Sequence, residues 1–235
     1  MNYPIRINKY LSQVGFCSRR EADRLLQENK ILINDKLPEL GTKVNEGDVV
    51  KVNGTEVNAT QDEHVYLIFN KPKGIVCTTD AGVEKDNIVD YINYPTRIYP
   101  IGRLDKMSEG LIFLTNDGSI VNKILRARHY HEKEYVVKVN KPLTNDFLNN
   151  MRSGVKILDT ITRKCKVEKV NHNTFKMVLT QGLNRQIRRM CEALGYRVIA
   201  LKRIRIMHIK LDVPVGKYRK FTDEEFSILK NQIDL

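Results

Sequence analysis

Asp105 sits in Gly102-Arg103-Leu104-Asp105, a glycine-punctuated loop that runs into the apolar stretch 110–115 and then an Asn116-Asp117-Gly118 turn. A carboxylate held by scaffold on one side and open on the other can act as a nucleophile or as a general base. Taken alone, an Arg-x-Asp pair beside a strand is more often a surface ion pair. A second motif shifts the balance toward a large anionic substrate. The run Gln181-Gly182-Leu183-Asn184-Arg185-Gln186-Ile187-Arg188-Arg189-Met190 places Arg185, Arg188 and Arg189 three and four residues apart, around one turn of an expected helix that stops at Gly195. Arginine's planar fork can grip a phosphate or pair with a carboxylate, so one of these side chains could hold Asp105 ionised while the others bind a backbone. Residues 181–220 hold eleven basic and two acidic side chains, a local net of +9 within a formal chain charge of +12.

That charge makes phosphate polymers or anionic surfaces the expected partners. The chain has 235 residues, 41% of them hydrophobic, enough for one small and one medium domain. No apolar run approaches the roughly 20 residues of a membrane span, and the N-terminal residues lack the apolar core of a signal peptide. Cys17, Cys77, Cys165 and Cys191 are scattered without ligand spacing, as expected of reduced cysteines in a cytoplasmic protein. The His129-x-His131 pair has no neighbouring Cys or His to complete a site, so no metal is expected.

The elements that must position these groups fall on either side of a boundary near 58–64. Before it, residues 7–11 and 18–26 read as two short helices, the second with Ser18 as N-cap and Glu21 at the capping-box position. Residues 31–36 and 48–54 read as strands between glycine-containing turns. Arg6, Lys9, Arg19, Arg20 and Arg24 would form one basic helical face able to meet phosphates, or an ordinary solvated one. After the boundary, 65–70 reads as a buried strand stopped by Pro72. The basic residues beside that proline, Lys71 among them, would stand near a strand end, in phosphate reach or in a plain surface turn. Residues 87–92 and 119–126 read as helices, and 133–139 alternates as a strand carrying Tyr135. A tyrosine there is most simply a core residue, though its flat ring and polar tip also suit an unstacked base.

Two resemblances add to this reading. Arg6-Ile7-Asn8-Lys9-Tyr10-Leu11, Cys17-Ser18-Arg19-Arg20-Glu21-Ala22-Asp23 and the Gly47-Asp48-Val49-Val50 turn and strand make the N-terminal part similar to the S4-type RNA-binding domain. Phe69-Asn70-Lys71-Pro72, the 102–118 segment, His131-Glu132-Lys133-Glu134-Tyr135 and residues 179–190 resemble the catalytic domain of the RsuA-like bacterial pseudouridine synthases. The implied fold is α+β: an S4-type RNA-binding domain over 1–60, then a catalytic domain over 65–235 with a mixed, mainly antiparallel β-sheet. The implied reaction is isomerisation of uridine to pseudouridine within RNA, with no cofactor. Asp105 would be the catalytic aspartate, Tyr135 the base-contacting tyrosine and Arg188 the arginine paired with the aspartate. Arg103 would lie beside the flipped nucleotide, and Lys71, Arg185 and Arg189 would touch RNA or support the cleft. Ser108 stands where many relatives have threonine, which keeps a hydroxyl. The resemblance further implies large-subunit ribosomal RNA near the peptidyl-transferase centre as the target, with transfer RNA as a second substrate; a two-domain RNA enzyme of this kind could work as a monomer, and the cysteine usage places it in the cytoplasm. The alternative is a noncatalytic ribosomal RNA-binding or assembly factor, indifferent to loss of Asp105.

Overall fold

The computed structural model describes residues 3–58, 63–79, 82, 84–126 and 130–234, so His129 of the histidine pair lies outside the described residues. The chain divides into two compact units, Met1–His64 and Val65–Leu235.

In the first unit, β1 (Ile5–Arg6) leads directly into α1 (Ile7–Gln13), followed by α2 (Arg19–Gln27), β2 (Ile31–Ile33), β3 (Lys43–Val44), β4 (Val50–Val52) and β5 (Thr55–Glu56). β1 pairs with β3, and β2, β4 and β5 form a separate antiparallel sheet. Ile7, Tyr10 and Leu11 of α1 and Ala22, Leu25 and Leu26 of α2 close a core on Ile31, Val44, Val50 and Val52. Three expectations change. Ser18 caps α2 by accepting from the Glu21 N–H, but the Glu21 carboxylate reaches forward to Arg24 instead of back to the cap, so the reciprocal half of the box is unmade. The strand expected over 31–36 ends at Ile33 because Asn34 and Asp35 turn into the left-handed region, at φ 50° and 59°. Arg6 belongs to β1 and not to a helix.

The second unit is built on one large sheet. Its elements are β6 (Tyr66–Lys71), α3 (Ile88–Ile92), β7 (Tyr99–Ile101), β8 (Glu109–Thr115), α4 (Gly118–Leu125), β9 (Lys133–Val139), α5 (Asn145–Ser153), β10 (Lys156–Ile157), β11 (Thr160–Ile161), β12 (Lys166–Asn171), β13 (Thr174–Leu179), α6 (Gln186–Ala193), β14 (Val198–Ile206), β15 (Ile209–Lys210), β16 (Tyr218–Lys220) and α7 (Asp223–Gln232). The strand order is β12-β13-β9-β14-β8-β6-β16, with β7 on β8 and β15 on β14, while β10 and β11 form a separate hairpin. All these pairings are antiparallel except β14 with β8, so the sheet is mixed and mainly antiparallel.

Both faces of the central strands are covered, which is why β6 and β8 read as continuous apolar runs. On one face α5 and α6 bring Phe147, Met151, Ile187 and Met190 against Phe69, Ile112, Tyr135 and Phe175. On the other, Ile120 and Ile124 of α4 and Leu229 of α7 cover Ile68, Leu111, Phe113 and Ile206. β9 keeps an alternating pattern, with Tyr135, Val137 and Val139 buried and Lys138 exposed. Asp117 caps α4: its Oδ1 accepts the Ser119 N–H and its Oδ2 the Tyr66 hydroxyl, both at 2.8 Å. Burial and that carboxylate together push the Tyr66 phenol well above its ordinary value.

Candidate active site

A cleft of about 1000 Å³ opens in the second unit, where the β7–β8 loop, the start of β9, the turn before α6 and the middle of β14 meet. Among its described lining residues Asp105 is the one carboxylate, against seven Lys or Arg side chains. Asp117 does not line it, and both of its oxygens are engaged in the cap and the tyrosine contact described above.

The Asp105 loop is pinned from three directions. The Ser108 N–H donates to the Asp105 carbonyl at 2.9 Å, the Leu104 N–H to Cys77 Sγ at 3.3 Å, and the Gly74 N–H to the Lys106 carbonyl at 2.8 Å. Gly102 begins it at φ +82°, where a Cβ would stand 2.9 Å from Leu125 Cδ2. Arg188 comes from α6, on the far side of the cleft. Its Nε lies 3.5 Å from Asp105 Oδ2, while its Nη2 donates to Ser108 Oγ and the Met107 carbonyl, each at 3.3 Å. The guanidinium is thus fixed by the same loop that carries the carboxylate. α6 itself is set by a turn in which Arg185 adopts φ +49° and the buried Gln186 side chain accepts the Leu183 N–H at 3.1 Å. Gln186 is therefore a shaping residue of the turn.

Tyr135 is 8% exposed and lines the cleft from β9, in register with Arg203 of β14 and Met177 of β13. Arg103 and Arg185 are exposed on the same cleft. Arg189 is committed elsewhere, its Nε and Nη2 donating to the Asn184 carbonyl and side chain at 3.1 Å. In the first unit Arg6, Lys9, Arg19, Arg20 and Arg24 are all exposed, but Arg24 is ion-paired with Glu21 and Glu28.

Lys71 is the clear departure from expectation. It is fully buried, and its Nζ donates to the carbonyls of Pro72 and Ile75 at 2.7 Å and of Lys106 at 3.4 Å. It cannot reach RNA in this arrangement; it ties the β6 terminus to the Asp105 loop. Burial lowers its pKa from the ordinary lysine value, opposed by the fields of Cys77 and Asp105. Lys71→Met should strand three carbonyls and cost about 2–4 kcal/mol, a Tm drop of roughly 5–15 °C by calorimetry. The salt dependence of RNA binding should be unchanged, because no phosphate contact is lost. A salt slope reduced by one contact, with Tm intact, would restore Lys71 as an RNA ligand.

Four cleft cations escaped the reading of the sequence, Lys106, Arg126, Lys133 and Arg203. Lys133 and Arg203 both line the cleft, and each could have been noticed by strand alternation: Lys133 is two residues before Tyr135, and Arg203 two after the buried Leu201. Among the described residues no group of three or more His, Cys, Asp and Glu could hold a metal, and no helix is long and apolar enough to cross a membrane.

A sheet covered by helices on both faces carries a basic cleft with one carboxylate among its described lining residues, a site suited to an enzyme acting on an anionic polymer, and comparison with known proteins identifies the family. The family model described as RNA pseudouridylate synthase matches residues 65–193, and that of the S4 domain matches residues 5–50. The chain belongs to the RNA pseudouridylate synthase family and is an RNA pseudouridine synthase with an N-terminal S4 domain. It is 53% identical to the dual-specificity RNA pseudouridine synthase RluF of Escherichia coli, over 97% of this chain and 80% of that protein. It is 34% identical to the ribosomal large subunit pseudouridine synthase B of Bacillus subtilis, over 97% of both chains. A crystal structure of a pseudouridylate synthase superposes with a TM-score of 0.70 at 26% identity, covering 96% of this chain and 99% of that one.

Proposed function

We propose that the enzyme isomerises a specific uridine in large-subunit ribosomal RNA near the peptidyl-transferase centre, with Asp105 as the essential carboxylate. The observation that carries this is the pairing of Asp105, the one carboxylate among the described lining residues, with Arg188 at 3.5 Å, on a loop and a helix held together by Ser108. The names of the two relatives, one a dual-specificity RNA enzyme and one a ribosomal large-subunit enzyme, support the target class. A transfer RNA would be the second substrate.

The target nucleotide must leave its stack to reach Asp105. Tyr135 then meets the base, and Arg188 keeps the carboxylate aimed. The N1–C1′ bond breaks with its electron pair passing to the uracil. Asp105 either bonds to C1′ through a carboxylate oxygen or takes the C2′ proton to leave a glycal. The freed ring turns and C5 bonds to C1′ as the Asp105–C1′ ester bond breaks, or as Asp105 returns its proton to C2′ of the glycal; the C5 proton then leaves and N1 is protonated. The base is rearranged without redox change or group import, so the chain's own residues suffice. Arg103 and Arg185, exposed on the cleft, would take flanking phosphates. Arg6, Lys9, Arg19 and Arg20 of the first unit would dock structured RNA. The enzyme would work in the cytoplasm as a monomer.

Pseudouridine mapping of total RNA tests this reading, using cells lacking the protein and cells complemented with it. One ribosomal site lost and then restored is expected. An unchanged map would favour a noncatalytic assembly factor on this RNA.

A further inference from the structure

Lys133 and Arg203 form a pair of cations on the cleft that the reaction scheme above leaves without a task. Tyr135 lies directly across from Arg203 in the β9–β14 register, and Lys133 precedes Tyr135 by two residues on the same face of β9, roughly 7 Å along the strand. Arg203 is 3% exposed; its Nε donates to the Leu111 carbonyl at 2.6 Å, while its Nη2 is buried with no partner. Lys133 Nζ has one hydrogen bond among the described residues, a long 3.4 Å contact to the His131 carbonyl. Neither cation has a carboxylate partner among the described residues: Glu132 and Glu134 are both taken by Arg205. A buried Arg203 and a half-buried Lys133 without a counterion among the described residues destabilise the free protein, and such an arrangement persists at sites whose ligand supplies the missing acceptor.

We propose that Lys133, backed by Arg203, is a uracil-contacting catalytic residue: its ammonium hydrogen-bonds a carbonyl oxygen of the flipped base and stabilises the negative charge that collects there when the N1–C1′ bond breaks. This rests on the pseudouridine synthase reading of the same cleft. The electron pair of the breaking bond spreads from N1 onto the uracil carbonyl oxygens, the ammonium keeps its protons throughout, and C5 later returns a pair to C1′. A preorganised cation aimed at developing charge is a large lever on such a step. A backbone phosphate is the other anion that could answer to this pair, but position speaks against it. Lys133 and Arg203 lie beside the buried tyrosine on the sheet, whereas the exposed Arg103 and Arg185 face solvent, from which the RNA backbone approaches. A hydrated phosphate would also lose more solvation there than a delocalised uracil oxygen.

Burial, with Arg203 adding repulsion, lowers the Lys133 pKa from the ordinary lysine value to about 8. The other ionisable groups around this part of the cleft are His131 and Tyr135 on its own segment and Asp105 and Arg188 on the opposing loop and helix. In the free enzyme the ammonium is therefore present below pH 8 and lost as pH rises through it, so kcat/KM, which reports the free enzyme, should fall above that pH.

The test compares the full-length enzyme with its Lys133→Met and Asp105→Asn variants on a large-subunit ribosomal RNA transcript carrying 5-tritiated uridine. Tritium release is followed under single turnover, with thermal melts and RNA binding at several salt concentrations. For Lys133→Met the expected result is a rate lowered about 100-fold or more. Its Tm should be equal or higher, because an unpaired buried charge has been removed, and its salt slope should be unchanged. A rate within threefold of wild type overturns the proposal. So does a slope reduced by about 0.7, the mark of one lost phosphate contact on single-stranded RNA, or a lowered Tm, which would make Lys133 structural. If the variant does not fold, the wild-type profile decides, and a kcat/KM flat to pH 9.5 overturns the idea. No tritium release by the wild type sinks the underlying reading as well, whereas an active wild type with an inactive Asp105→Asn and an unimpaired Lys133→Met sinks this inference alone.

Discussion

Asp105→Asn should abolish pseudouridine formation, with a loss on the order of 10⁴-fold or more in single-turnover rate, while RNA affinity is kept or slightly improved. The amide is nearly isosteric and can still accept from Arg188, so the loop and its contacts to Ser108, Cys77 and Gly74 should survive. What disappears is the one carboxylate among the described lining residues, the group placed to attack C1′ or take its neighbouring proton, and removing a member of a catalytic unit costs rates of this size. The improved affinity has a simple sign. Deleting one negative charge from a cleft lined by seven cations raises its positive potential toward phosphate. Pseudouridine mapping by reverse-transcription stops gives the first quantity and filter binding the second. Turnover within tenfold of wild type would remove Asp105 from the chemistry and leave the cleft as a binding surface.

Much of this site was visible in local patterns, and the remainder was not, for reasons that differ by residue. The glycine-flanked Asp105 loop and the turn into α6 announce themselves because their neighbours in space are neighbours in sequence. That Arg188 meets Asp105 was implied by resemblance alone, since eighty-odd intervening residues carry no periodicity that reports their distance. Lys71 was misjudged because lysine is ordinarily solvated. Only the fold reveals that three carbonyls converge where its ammonium sits. The cap at Ser18 was legible, whereas the route of the Glu21 side chain was settled by a competing arginine one turn on. β14 was not foreseen: Lys202, Arg203 and Arg205 interrupt its apolar residues, and register shifts between Val198 and Ala200 and between Arg203 and Arg205 break the alternation. That irregular strand supplies Arg203, so the same feature hid both the strand and a cleft residue.

Gly110→Ala should be the most destabilising single substitution in this part of the chain, above about 4 kcal/mol and sufficient to prevent accumulation of folded enzyme. Gly110 opens the apolar part of β8 at φ +115°, a conformation that L side chains rarely adopt. A Cβ there would stand 2.2 Å from the Arg203 carbonyl oxygen and 2.7 Å from the Arg203 nitrogen, both backbone atoms of β14. No rotamer change relieves a clash with backbone, so β8 and β14 would have to separate where they form the sheet's one parallel pairing, Glu109 with Lys202 and Gly110 with Arg203. The catalytic consequence follows from the same contact. Asp105 is five residues before Gly110 on the loop feeding β8, and Arg203 is on the strand that would be pushed away. A variant rescued at low temperature should therefore lose activity out of proportion to its RNA affinity, because the carboxylate and the buried cations no longer keep their spacing. Differential scanning calorimetry together with single-turnover rates at 15 °C checks both halves. A Tm within 3 °C of wild type would mean that the two strands can part without cost, contrary to the packing of Leu111 and Phe113 against Ile206 on the adjoining face.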